Sequence, residues 1–302
     1  MTHFHILAGA EDLHARPVVH RIAVADLKDV LARGIDDFRA MPSHAAFLCL
    51  IYPLLGLLLC WVTFGFALHS LLYPLIFGFA LLGPFAALVL YELSRERERG
   101  LPVSASSAFA VFNSPSFGAI AALGLLLTVI FVIWLAVAQA IYVASFGDAP
   151  IGSIGEFAER VFTTPEGWLL IVVGNVVGFL FALLVLVISV VSFPLLLDRD
   201  VGAVEAVATS VRVVWTNPRA IAVWGVIVAA ALALGSLPLL LGLTVVVPVL
   251  GHATWHLYRK VVEPDSSPPL QEQPRRSKPQ HWYGAQFPAA LFADESRKPD
   301  EP

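Results

Sequence analysis

From Ala45 to Tyr91 the chain carries no formal charge, and its apolar residues follow neither the alternation of a strand nor the one-sided stripe of a soluble helix. A helix crosses a bilayer with about 20 residues, so this stretch holds two spans, 45–68 and 71–93, parted at His69-Ser70. Uncharged runs at 117–144 and 168–197 give a third and a fourth span, both long enough to tilt or to project beyond the hydrocarbon. A short fifth span, 220–234, meets a sixth at Gly235-Ser236-Leu237-Pro238. The sixth runs through Pro248 to an aromatic and basic end at His252, Trp255, His256, Tyr258, Arg259 and Lys260.

Between the spans the pattern turns one-sided. In 26–41, Leu27, Leu31, Gly34, Phe38 and Met41 share one face, with Asp29, Arg33, Asp36 and Asp37 towards the other. This predicts a helix lying along the membrane surface and ending at Met41-Pro42. Residues 104–112 are weakly amphipathic and stop at Asn113-Ser114-Pro115, and Ser153-Ile154-Gly155-Glu156 has the form of a capping box that opens a short helix in the loop 145–167. In 204–215, Val204, Val207, Val211 and Val214 fall on one face with Glu205, Thr209 and Arg212 opposite, before a turn at Asn217-Pro218.

Composition agrees with this reading: 58% of the residues are hydrophobic, 14% are charged, and the mean hydropathy is +0.77, where a soluble domain has about a quarter of its residues charged. The net charge of -4 matters less than its sidedness. Arg16, Arg21, Lys28, Arg33 and Arg39 precede the first span, Arg95, Arg97 and Arg99 follow the second, Arg199, Arg212 and Arg219 follow the fourth, and Arg259, Lys260, Arg275, Arg276 and Lys278 follow the sixth. The opposite loops hold only Arg160. The positive-inside rule then gives six spans with both termini cytoplasmic, because a single helix across 220–249 would place the C-terminal basic cluster on the wrong side. Residues 1–41 contain no continuous apolar stretch of the kind a cleaved signal needs, so targeting is expected to reside in the first span.

The pattern also recurs. An interfacial amphipathic helix, a turn containing proline and a hairpin of two spans occur at about 25–100, 101–202 and 203–260, with Pro84, Pro194 and Pro248 in the second span of each unit. Pro84 is followed by Tyr91 and Arg95 at the same distances at which Pro248 is followed by Trp255 and Arg259. The expected fold is therefore an all-α integral membrane protein of six spans in three pseudo-repeated units about an axis normal to the membrane, with a polar N-terminal tail at 1–24 and a disordered tail at 262–302.

No Walker A sequence, dinucleotide fingerprint, HExxH or G-x-S-x-G elbow is present, so the expectation is a protein that is not an enzyme and carries no cofactor. A lipid bilayer is the expected partner, with a membrane protein or a second copy left open and nucleic acid excluded. Any site is expected on the cytoplasmic rim, where Glu92, Asn113, Asp198, Arg199, Asp200 and Asn217 gather. His252 and His256, four apart on one helix face, give the alternative of a haem- or metal-binding component with His44 as a third ligand from another unit. Gln139 and Asn175 are polar side chains well inside spans, which in lipid usually bond across helices, and Gly174 with Gly178 permits close packing.

Several motifs are similar to those of a known family: Phe38-Arg-Ala-Met-Pro-Ser43, Leu82-Gly-Pro84 with Tyr91-Glu-Leu-Ser94, Ser114-Pro-Ser-Phe117, 191–200 (Val-Ser-Phe-Pro-Leu-Leu-Leu-Asp-Arg-Asp) and 251–260 (Gly-His-Ala-Thr-Trp-His-Leu-Tyr-Arg-Lys). Over about 21–262 the chain resembles the proteobacterial integral membrane proteins grouped as domain of unknown function 2189. The resemblance implies an inner-membrane location and carries no catalytic residue with it.

Overall fold

The computed structural model describes residues 17–41, 83–101, 114–147, 154–238 and 240–264, with a few single positions between them. Most of the first two expected spans lies outside the described residues, as do His44, His69, Asn113 and the amphipathic stretch 104–110. The chain divides into two units, Met1–Glu263 and Pro264–Pro302, and the description below is of the first.

Ten helices are described: α1 (Asp26–Ala40), α2 (Gly83–Ala86), α3 (Leu88–Glu98), α4 (Phe117–Phe146), α5 (Ile154–Thr163), α6 (Pro165–Ser189), α7 (Ser192–Asp198), α8 (Gly202–Thr216), α9 (Pro218–Ser236) and α10 (Leu243–Val261). Among the described residues three stretches are long and apolar enough to cross a membrane: Phe117–Phe146 with 30 residues, Pro165–Asp198 with 34 and Pro218–Ser236 with 19. The third and fourth expected spans and the fifth are thus in place. The short helix behind the 153–156 capping sequence is α5.

The fourth span is not one smooth helix. It breaks at Val190–Val191 and resumes as α7, because Pro194 has no amide to return to the Val190 carbonyl. Residues 192–197 are all buried, which makes α7 a central peg against α3, α4, α8 and α10. The stretch 220–249 is likewise two helices, joined through a turn at 237–242 in which Leu240 adopts φ +67°. There a Cβ on Gly242 would stand 2.6 Å from the Gly235 carbonyl oxygen, so only glycine lets the two helix ends meet.

Two amphipathic faces differ in part from the sequence reading, although Leu27, Gly34 and Met41 are buried as expected and Leu31 and Phe38 pack against the core. On α1 the buried set is Leu27, Val30, Gly34 and Asp37, so Asp37, expected on the outward side, faces inward. The helix lies along α10 so closely that a Cβ on Gly34 would sit 2.7 Å from the Ala253 Cβ and from its amide nitrogen. On α8 the buried residues include Ala203, Ala206, Thr209, Ser210 and Val213, while Val204 is 62% exposed. Thr209, expected opposite the packing face, is buried. The reason is shared: between helices in lipid, small residues permit close approach, and large aliphatics have no cause to avoid the outside.

Residues 17–24, read from the sequence as part of a polar tail, form an ordered arm. Val19 pairs antiparallel with Val262, the His20 amide donates to the Val261 carbonyl at 2.8 Å, and the Glu263 amide donates to the Val18 carbonyl at 3.0 Å. The arm and the end of α10 therefore share one end of the bundle. Its middle is apolar, built on Leu123, Leu127, Ile130, Trp134 and Val185. Trp134 reaches the Pro74 carbonyl through its indole nitrogen at 2.9 Å, and a Cβ on Gly178 would touch its ring at 3.0 Å.

Candidate functional site

The C-terminal turn of α1, the last two turns of α3 and the second half of α10 converge at the end that carries the arm. Each brings polar groups inward. Asp37 is 4% exposed and is the hub: Ser94 Oγ donates to its Oδ2 at 2.6 Å, His256 Nε2 lies 2.9 Å from the same oxygen, and Arg97 donates to Oδ1. Ser94 Oγ also lies 2.7 Å from His252 Nδ1. Because the Ser94 hydroxyl hydrogen is directed at Asp37, its oxygen can only accept from His252, which places that ring's proton on Nδ1. His252 is fully buried, and its Nε2 has no partner. Burial pushes the Asp37 carboxyl up, yet the hydrogen bonds from His256 and Ser94 outweigh it and hold the group below its ordinary 3.8.

A cleft of about 390 Å³ opens beside this hub, lined by Arg33, Asp36, Asp37, Ser94, Arg97, Glu98 and His256. A second set of bonds continues around the rim. Glu98 accepts from Trp255 Nε1 at 2.9 Å and from Arg259 at 3.0 Å, while Asp198 accepts from the Tyr258 hydroxyl at 2.8 Å and from Arg259 at 3.4 Å. Lys260 bridges to Asp29 at 3.0 Å and to Asp26 at 3.2 Å. The bond from Lys260 holds the Asp29 carboxyl below its ordinary range, and for Asp26 the Ala23 amide does so ahead of Lys260.

The rim residues expected from the sequence are thus mostly at one end but do not form one site. Glu92 is buried and pairs through one oxygen with Arg95 at 2.6 Å, its other oxygen being unpartnered. Arg95 also donates to the Leu197 carbonyl, tying α3 to α7. Arg199 reaches the Glu263 carbonyl, and Ser116 bonds to the Arg199 carbonyl at 3.4 Å and to Asp200 at 3.5 Å. Asn217 lies apart, buried under the arm. His252 and His256 do share a region, but one is bound through Nδ1 to Ser94 and the other through Nε2 to Asp37. Among the described residues no group of three His, Cys, Asp or Glu is arranged to hold a metal, and His44 and Asn113 lie outside those residues.

The intramembrane amides sit elsewhere. Gln139 is half-buried on α4, and Asn175 is exposed on α6, where its Nδ2 donates to the Ile171 carbonyl of its own helix at 2.8 Å. Asp37, Ser94, Arg97 and Glu98 were not picked out as site residues by sequence. One signal was available: Asp37 continues the spacing of Leu27, Val30 and Gly34.

The comparisons agree with the motifs. Residues 72–198 match the model of the family described as a predicted integral membrane protein, domain of unknown function 2189, and over that stretch the chain is similar to it. That stretch supplies the α3 wall of the hub and all of α7, whereas Asp37, His252 and His256 fall outside it. No curated protein and no solved structure matches the chain.

Proposed function

We propose that this chain is a non-enzymatic accessory or assembly protein of a bacterial inner membrane, with six spans in three repeated units and both termini in the cytoplasm, which binds a membrane-protein partner at its polar rim. The observation that carries this is the distribution of buried polarity. Asp37, Glu92, Ser94, Asn217 and His252 gather towards one end, while the described middle is filled by Leu123, Leu127, Ile130 and Trp134. A small transporter needs a polar path between the ends. The described core favours the accessory reading over it.

Three features support the architecture. Residues 18–20 bond to 261–263, as an even number of crossings between them requires. The turn at 237–242 divides the last hydrophobic stretch into two helices. The four buried residues of α1, Leu27, Val30, Gly34 and Asp37, share their spacing with four of the six buried in α8, Ala203, Ala206, Ser210 and Val213, each set ending five residues before a proline, Pro42 or Pro218. In addition α1, from the first unit, packs on α10 of the third, and α8, from the third, packs on α6 and α7 of the second. Two such exchanges are consistent with three units around one axis, the segment 104–110 of the second unit lying outside the described residues.

A photo-reactive side chain at Asp36, exposed in the cleft, tests the function in native membranes. A discrete crosslinked membrane protein is expected, and loss of that partner's assembly when the gene is deleted. Proteoliposomes that move a solute, with no crosslinked partner, would replace this reading with transport. A Soret band or stoichiometric metal in the purified protein would replace it with the haem or metal alternative at His252 and His256.

A further inference from the structure

The arm, the α8–α9 junction and one exposed indole lie together at the start of α9. Asn217, 4% exposed, closes α8 and opens α9, and its amide is used at both ends. Its Oδ1 accepts from the Ile22 amide at 2.8 Å, and its Nδ2 donates to the His20 carbonyl at 3.0 Å. Arg21 is the residue between those two bonded peptides, so the arm is pinned with Arg21 beside the junction, while Arg219 stands two residues beyond Asn217. Both arginines are exposed, and among the described residues neither makes a hydrogen bond or ion pair. Other cations differ: Arg95, Arg97, Arg212, Arg259 and Lys260 are each paired with a carboxylate. Nearby acids are also occupied, Glu263 facing His20 at 3.8 Å and Asp26 facing Lys260.

The depth of this corner follows from its neighbours. Arg219 lies in the first turn of α9, a helix with hydropathy 1.8 that can cross the bilayer, and Trp215 just before it is 78% exposed. An open indole at the end of a span sits at headgroup level, and guanidinium groups match phosphate oxygens in a bidentate fork. We propose that Arg21, Arg219 and Trp215 form a docking site for the headgroup of an anionic phospholipid, with Asn217 positioning the arm that supplies Arg21. The proposal is independent of whether the cleft binds a protein partner.

The test uses the full chain in nanodiscs containing brominated phosphatidylglycerol or brominated phosphatidylcholine, with fluorescence quenching of Trp215 read as the difference from Trp215→Phe. Phosphatidylglycerol should quench at the lower mole fraction. Each arginine removed should weaken that preference about five-fold, so that Arg21→Gln/Arg219→Gln loses about 25-fold, following the roughly 1 kcal/mol that one basic residue contributes at an anionic surface. Arg33→Gln, whose charge is already matched by Asp29, should leave it unchanged. An unaltered preference in the double variant would overturn the proposal. So would displacement of the lipid by inorganic phosphate at equal concentration, which would mark a site for free phosphate.

Discussion

His256 Nε2 lies 2.9 Å from Asp37 Oδ2, joining residues 219 positions apart and fastening the surface helix α1 to the last helix of the bundle. Arg97 meets the other carboxylate oxygen, so removing Asp37 leaves Arg97 and His256 without their shared acceptor. Breaking a buried pair costs about 3–5 kcal/mol, and because the Arg97 side chain is 40% exposed the lower end applies. Asp37→Ala should therefore lower stability by about 3 kcal/mol in detergent denaturation, and Arg97→Gln by less.

The same carboxylate gives a pH signature. Its folded pKa is below the ordinary 3.8, so its contribution is present above the unfolded value and is lost as pH falls through the folded one. Acid titration below about pH 4 should release α1, detected as cleavage near Met41 by a protease active in acid. Asp37→Asn should shrink that acid step, leaving the smaller share that Asp26 and Asp29 contribute through Lys260.

Gly34 and Gly174 make a paired comparison. A Cβ on Gly34 would press on Ala253, with backbone on two sides, whereas a Cβ on Gly174 meets nothing within 4 Å. Gly34→Ala should destabilise by about 1–3 kcal/mol through overpacking. Gly174→Ala should be neutral or stabilise by up to about 1 kcal/mol, the helix-propensity gain. Thermal melting of the two purified variants separates these outcomes.

Asn217→Ala removes both anchors of the arm. It leaves the Ile22 amide and the His20 carbonyl unpaired, at about 1–3 kcal/mol, and hydrogen exchange at residues 18–22 should rise well above that of α9. Equal exchange in variant and wild type would mean that the Val19–Val262 pairing alone holds the arm.

What the sequence displayed and what it hid follow from one physical difference. Spans 117–144, 168–197 and 220–234, the junction at Asn217-Pro218 and the turn near Gly235 were legible, because charge, proline and glycine act locally and lipid demands continuous apolar runs. The inward face of α8 was legible only in part, and on α1 the inward place of Asp37 was not. In water the larger apolar side chains would mark the packed side, but in a bilayer Val204 is content outside and Ala206 and Ser210 do the packing. Asp37 was assigned outward for the same reason, since its partners lie 57, 60 and 219 residues away and no local pattern announces them.

The account rests on residues 18–20 and 261–263 sharing the cytoplasmic end of a six-span bundle. Alkaline phosphatase and a fluorescent protein, each fused after Val262 and each inserted in the loop 148–153, read this directly. The account predicts a fluorescent, phosphatase-inactive fusion after Val262 and a phosphatase-active, dark insertion in the loop. Phosphatase activity after Val262, with fluorescence from the loop, would contradict it.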